Sequence, residues 1–201
     1  MLKRLFDILL SSIGMILSSP LWIIFSLMIK LEDRGPIFYT QERVGKQGRV
    51  FNALKFRSMI KDAEKDVGPV QAKENDPRVT KAGRILRATA MDELPQLINI
   101  LKGDMSFVGP RALRPDELEV RGNPEVLDIE DIPLYKERIT VCPGLTGLAQ
   151  VYLPSDAPRK DKFRYDLLYI KKQSLLLDIK LILLSFYITF RGKWEHRGTK
   201  F

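Results

Sequence analysis

The chain has 201 residues, 45% of them apolar and 29% charged, proportions that suit a folded domain with a real core and exclude a disordered chain. Lys and Arg number 33 against 25 Asp and Glu, a net charge of +8, so the surface calls for an anionic partner: nucleic acid, an acidic membrane face or phosphorylated substrates. The single Cys142 excludes an internal disulfide and a thiolate metal cluster, and reads as a small buried thiol.

Residues 5–29 carry Asp7 as their only formal charge, and a bilayer-crossing helix needs about 20 such apolar residues. The basic start, Lys3 and Arg4, fits a secretory signal, but no small-x-small site closes the segment. Pro20 lacks an N–H and presses on the carbonyl of Ile16, which predicts a kink or break at Ser18-Ser19-Pro20. Lys3 and Arg4 precede the segment while Lys30, Arg34, Arg43 and Lys46 follow it. Positive charge on both sides gives no direction of insertion, as expected if both ends stay on the cytoplasmic face. Two arms, 5–18 and 21–29, would then dip into one leaflet, with Ser18 and Ser19 satisfying the opened backbone groups. On the residues alone, a re-entrant helix and a spanning one both stay open.

Residues 36–41 and 49–56 read as two strands around the turn Gly45-Lys46-Gln47-Gly48. Residues 58–74 are charge-dense and predict an exposed helix and loop. A turn-rich region at 108–115 precedes an acidic stretch at 116–131, and 138–151 reads as strand, tight turn, strand. Residues 163–190 form an apolar stretch interrupted by Lys171, Lys172, Asp178 and Lys180, too broken to span. An amphipathic helix on the membrane or on the domain fits it, with a core helix as the alternative. No repeat or linker marks a second domain.

The chemical centre is residues 87–101. Leu94, Leu97, Ile98 and Leu101 fall at helical spacing, and Pro95 is tolerated in a first turn. This places Asp92 and Glu93 at a helix start, where free N–H groups and the dipole would seat a phosphate. Acidic residues also favour first turns for capping alone. Cationic residues crowd the same region, however: Lys55 and Arg57, Arg84 and Arg87, and Arg111 and Arg114. Arg grips phosphate with two parallel bonds and Lys acts as a point charge. Neighbouring helical side chains diverge by about 100°, so the two carboxylates divide their work. One is expected to face a reacting phosphorus and the other a hard cation such as Mg²⁺, which binds few carboxylates plus phosphate oxygens. Such divergence weighs against a glycosidase pair. No GxxxxGK[ST], GxGxxG or HExxH occurs, and His196 reads as solvated.

These stretches resemble the bacterial sugar transferases, also called monotopic phosphoglycosyl transferases. The match runs through Ser19-Pro20, PIFYTQERVG (36–45), LKFRSM (54–59), LRATAMDELPQLINILKGDMSFVGPRALRP (86–115), PGLTGLAQV (143–151) and YDLLYIKKQSLLLDIKLIL (165–183). The resemblance implies an α+β fold: a re-entrant membrane helix at 1–30 broken at Ser19-Pro20, and a catalytic part at 31–201. Interfacial helices and a small β-element would complete one membrane-associated unit. It implies that Asp92 attacks the β-phosphate of a UDP-sugar, releasing UMP, and that undecaprenyl phosphate then takes the phosphosugar in a ping-pong exchange. Glu93 would associate with Mg²⁺, and Lys55, Arg57, Arg87, Arg111 and Arg114 would bind substrate. Members of this minimal size imply UDP-N,N′-diacetylbacillosamine or a related N-acetylated amino sugar as donor, at the inner membrane's cytoplasmic face. A non-catalytic membrane scaffold is the rival reading. Nucleic acid is not an expected partner, since the aromatics sit in apolar helices and not beside the bases.

Overall fold

A computed structural model describes residues 1–61, 63, 76–115, 118–119 and 127–191. Most of 58–74, much of the acidic stretch and His196 lie outside the described residues.

An apolar run of good helix formers gives α1, Leu2–Asp33, long and apolar enough to cross a membrane. No break divides it, since Leu2–Asp33 is one helix through Pro20, a continuity that a kink there would not interrupt. The reason is local. Ser19 Oγ donates to Ile16 O at 2.8 Å, the carbonyl that Pro20 deprives of its usual partner. Ser18 Oγ in turn accepts from Trp22 Nε1 at 3.1 Å.

Both ends of α1 are tied to the same body. At the first turn Lys3 Nζ meets Asp178 Oδ2 at 2.6 Å, and the Arg4 guanidinium donates to Ile100 O and Leu101 O at 2.5 and 2.6 Å. Asp7, buried, accepts from Ser106 Oγ and Phe107 N, each at 3.0 Å. At the far end Trp22 and Phe25 pack edge-on against Phe56, with centroids 5.5 and 5.9 Å apart. Asp33 pairs twice with the buried Arg57, and Glu32 accepts from Lys81 N and Ala82 N at 2.7 and 2.9 Å.

Strands β1 (Phe38–Val44) and β2 (Val50–Phe56) form an antiparallel hairpin in the register Phe38↔Phe56 to Val44↔Val50. Its turn is made by Gln47 and Gly48, both at positive φ. Helix α2 (Lys81–Ala88) is capped by Thr80, whose side chain accepts from Gly83 N. A 3₁₀ turn, Met91–Glu93, precedes α3, Gln96–Lys102. Strand β3 (Ser106–Val108) runs parallel to a later strand, and β4 (Leu118–Glu119) pairs with β5 (Leu127–Asp128).

The expected strand–turn–strand at 138–151 is instead the end of α4 (Tyr135–Arg138), the single strand β6 (Gly144–Thr146) and α5 (Leu148–Tyr152). Gly147 adopts an extended backbone and ends the strand. Ala149 and Val151 then turn inward together on a short helix. The apolar stretch at 163–190 belongs to two helices, α6 (Arg159–Lys172) and α7 (Leu175–Phe190). Ser174, extended, starts the second by accepting from Leu177 N at 3.3 Å.

One core cluster joins Leu97, Ile100, Val108, Val151, Tyr169, Leu181 and Ile188. A second sets Phe25 and Ile29 of α1 against Phe56 and Leu86, and a third gathers Leu113, Ile129, Tyr135 and Phe163. Cys142 is half-buried, with Sγ 3.8 Å from Gly103 O.

Candidate active site

Alternation along the hairpin puts Arg43, Ala53 and Lys55 on one face, since Gln41 pairs with Ala53, Tyr39 with Lys55 and Arg43 with Phe51. That face lines an open cleft together with Glu93, Gln96, Met105, Arg111 and Leu145.

Glu93 occupies the 3₁₀ turn that Ala90 opens at φ 54. It is buried, and Lys55 Nζ and Arg111 Nη2 reach its Oε1 at 2.6 and 3.3 Å. Burial pushes this carboxyl upward, but the nearby charges of Lys55, Arg111 and Arg43 overcome it and hold the group down at about 2. Glu93 is therefore an anion at every physiological pH. Its Oε2 makes no hydrogen bond or ion pair with a described residue.

Asp92 is half-buried on the same turn. Successive residues of a 3₁₀ turn diverge by about 120°, so Asp92 leaves the turn on another side and is not among the residues lining the cleft.

The helix-start argument needs correcting. Pro95 is the N-cap of α3 and not part of its first turn, and α3 is seven residues long. Four of the N–H groups here are already used: Glu93 N, Leu94 N, Leu97 N and Ile98 N donate to the carbonyls of Ala90, Met91, Leu94 and Pro95. Stabilisation of an anion here falls to cationic side chains. The buried face also differs from the expected stripe. Leu97 is buried as expected and Ile98 and Leu101 are half-buried, while Gln96, Asn99 and Ile100 are buried as well.

Asn99 is the joint of this packing, and the sequence reading passed over it. Its Oδ1 accepts from Leu54 N at 2.9 Å, while Nδ2 donates to Asn52 O at 2.8 Å and Asp104 Oδ2 at 3.2 Å. It fixes α3 to the strand that carries Lys55.

The loop bearing Arg111 is held as tightly. Arg43 donates to Ala112 O at 3.1 Å, Gly144 N to Pro110 O at 2.8 Å and Gly109 N to Thr146 O at 2.9 Å. A Cβ on Gly144 would collide with the backbone N of Gly109, so the two loops approach as closely as glycine permits. Arg138, buried, donates to Arg111 O and to Asp166 Oδ2, the latter at 2.7 Å.

Of the expected substrate-binding residues, Lys55 and Arg111 meet in the cleft. Arg57 does not: it is buried on Asp33 at the end of α1. Arg87 and Arg114 are half-buried and, like the exposed Arg84, are not lining residues. Arg43 and Gln96 were missed. Counting alternation back from Lys55 across the hairpin would have found Arg43.

The family profile described as "Bacterial sugar transferase" matches residues 1–192. The exopolysaccharide production protein ExoY of Rhizobium meliloti is 35% identical over 90% of this chain and 82% of its own. The UDP-N-acetylgalactosamine-undecaprenyl-phosphate N-acetylgalactosaminephosphotransferase of Aeromonas hydrophila is 42% identical over 90% of this chain and 42% of its own. The UDP-glucose:undecaprenyl-phosphate glucose-1-phosphate transferase of Klebsiella pneumoniae is 41% identical over 95% of this chain and 40% of its own. The chain thus spans less than half the length of these last two relatives.

Proposed function

Because the chain belongs to the bacterial sugar transferase family, we propose that it transfers a sugar 1-phosphate from a UDP-sugar to undecaprenyl phosphate and releases UMP. The observation that carries this reading is the cleft itself: an ionised Glu93 gripped by Lys55 and Arg111, with Arg43 alongside, one residue from Asp92. A cluster of fixed cations in a partly dry cleft suits a diphosphate whose negative charge grows during transfer. The printed activities of the Aeromonas and Klebsiella relatives support the same reaction class.

The chemistry is covalent catalysis in two displacements. A carboxylate oxygen of Asp92 attacks the β-phosphorus; the bond from that phosphorus to the bridging oxygen breaks, and UMP leaves with the oxygen and its electron pair. The phosphosugar remains on Asp92 as an acyl phosphate. An oxygen of undecaprenyl phosphate then attacks the same phosphorus, the bond to Asp92 breaks, and the carboxylate is regenerated. Lys55, Arg43 and Arg111 hold the donor's phosphate oxygens in the cleft, and the reacting phosphorus has to extend beyond it to Asp92, which does not line it, while Arg57 acts at a distance by locking β2 to α1.

The described residues gather no group of three ligands for a metal; Glu93 would hold Mg²⁺ through Oε2, to which neither cation donates, and substrate phosphates would supply the other ligands. When bound, it would neutralise charge on the phosphoryl oxygens.

The membrane arrangement follows from α1 and α7. The outward face of α1 shows Leu5, Leu9, Ile13, Ile16, Leu17 and Ile24 to the surroundings. On α7, Leu176, Ile179, Leu183, Phe186 and Phe190 recur at helical spacing on one exposed side. We read α1 as re-entrant, entering and leaving the cytoplasmic leaflet of the inner membrane, because Lys3 and Asp33 at its two ends pair with one body. Helix α7 lies at the interface. An N-acetylated amino sugar, with N,N′-diacetylbacillosamine the leading case, is the proposed donor sugar.

Detergent-solubilised protein with Mg²⁺ is expected to release UMP from a UDP-sugar and to hold a labelled phosphosugar when the lipid is withheld. Asp92→Asn abolishes both. A full adduct on that variant moves the nucleophile elsewhere, and no UMP from any UDP-sugar favours the scaffold.

A further inference from the structure

The first residue of α3 carries an amide that the protein itself leaves unused. Gln96 is 4% exposed and lines the cleft beside Glu93, yet its side chain makes no hydrogen bond with any described residue. Its amide atoms are not among the buried polar atoms that lack a partner, so they keep contact with the open cleft, where a ligand group can meet them. The nearby Asn99, on the same helix, spends its amide on Leu54, Asn52 and Asp104; Gln96 aims its amide into the cleft and fastens nothing. The other polar side chains lining the cleft are charged: Arg43, Lys55 and Arg111 only donate, and the ionised Glu93 only accepts. Gln96 alone among these lining residues offers a donor and an acceptor together in a neutral group. The apolar residues Ala53, Met105 and Leu145 line the same cleft.

We propose that Gln96 is a donor-recognition residue, pairing its amide with a neutral ligand group that presents a hydrogen-bond donor beside an acceptor. This rests on the nucleotide-sugar reading of the cleft and deepens it. Two parts of such a donor have the required edge: the imide of uracil and the N-acetyl amide of an amino sugar. The diphosphate has no donor and is left to the cations.

The test uses the full-length protein in detergent with Gln96→Met, close in shape but unable to hydrogen-bond, and Gln96→Glu. Thermal unfolding is measured first. Gln96→Met is expected to melt at or above the wild-type temperature, because no protein bond is lost; a large fall shows a structural role and overturns the proposal. Binding of UMP and of an N-acetylhexosamine 1-phosphate is then titrated separately, without turnover. Loss of about tenfold, the weight of one buried hydrogen bond, is expected for one of the two ligands in both variants. A loss for UMP assigns the base edge, and a loss for the sugar phosphate assigns the N-acetyl group. Unchanged affinity for both overturns the inference, even where the wild type releases UMP normally. If the wild type binds neither ligand, the nucleotide-sugar reading falls and takes this inference with it.

Discussion

At the residue scale, the behaviour of Glu93 is set by a contest between burial and neighbouring charge. The cations win, so the folded carboxyl titrates near 2, below its ordinary value of 4.5. The ion pairs are therefore fully present above pH 4.5 and are lost as the pH falls toward 2. Acid unfolding followed by tryptophan fluorescence is expected to show this loss in that window, and Glu93→Gln to flatten it. Lys55→Met removes the shortest contact and leaves the carboxylate with Arg111 and Arg43. The carboxyl then rises, and the acid limb of the UMP-release profile should move up by about a unit or more. A limb that stays in place would detach Glu93 from the reaction. Asn99→Ala forfeits three hydrogen bonds and strands the half-buried Leu54 N–H, a cost of about 3 kcal/mol in denaturant unfolding.

At the element scale, the turn Met91–Glu93 is entered through Ala90 in the left-handed region, a conformation costing an L-residue roughly 1–2 kcal/mol. Ala90→Gly is expected to raise the unfolding midpoint while lowering kcat, because the freed turn no longer fixes where Asp92 and Glu93 point. A variant equally active and more stable would show that the strain has no part in positioning. The hairpin was legible in the residues 36–56, since alternation and the Gly45–Gly48 turn are local signals. Glu93, Lys55 and Arg111, which meet in the cleft, were legible from the carboxylate pair and the cationic residues read beside it. What escaped notice depends on contacts far apart in the chain. Arg57 finds Asp33, Asn99 finds Asn52, and Ser174 divides one apolar stretch into α6 and α7. The helix-start phosphate seat is narrowed for a nearer reason: 3₁₀ bonds use several of its N–H groups.

At the scale of the whole molecule, α1 belongs to the core as well as being long and apolar enough to enter a bilayer. A straight helix of its length is about 48 Å long at 1.5 Å per residue, against a hydrocarbon layer of about 30 Å. With Cys142→Ser as background, Leu2→Cys and Arg34→Cys are both expected to react with an impermeant thiol reagent from the cytoplasmic side. Labelling of Leu2→Cys from the opposite side alone defeats the re-entrant reading. Phe25 and Ile29 complete the cluster around Phe56, and Asp7 satisfies the backbone of β3. Cutting the chain after residue 34 to obtain a water-soluble catalytic fragment therefore has a foreseeable result. The fragment would expose Phe56 and Leu97 and leave Asp178 and Arg57 without their α1 partners, so it should aggregate where the intact protein, given detergent, does not.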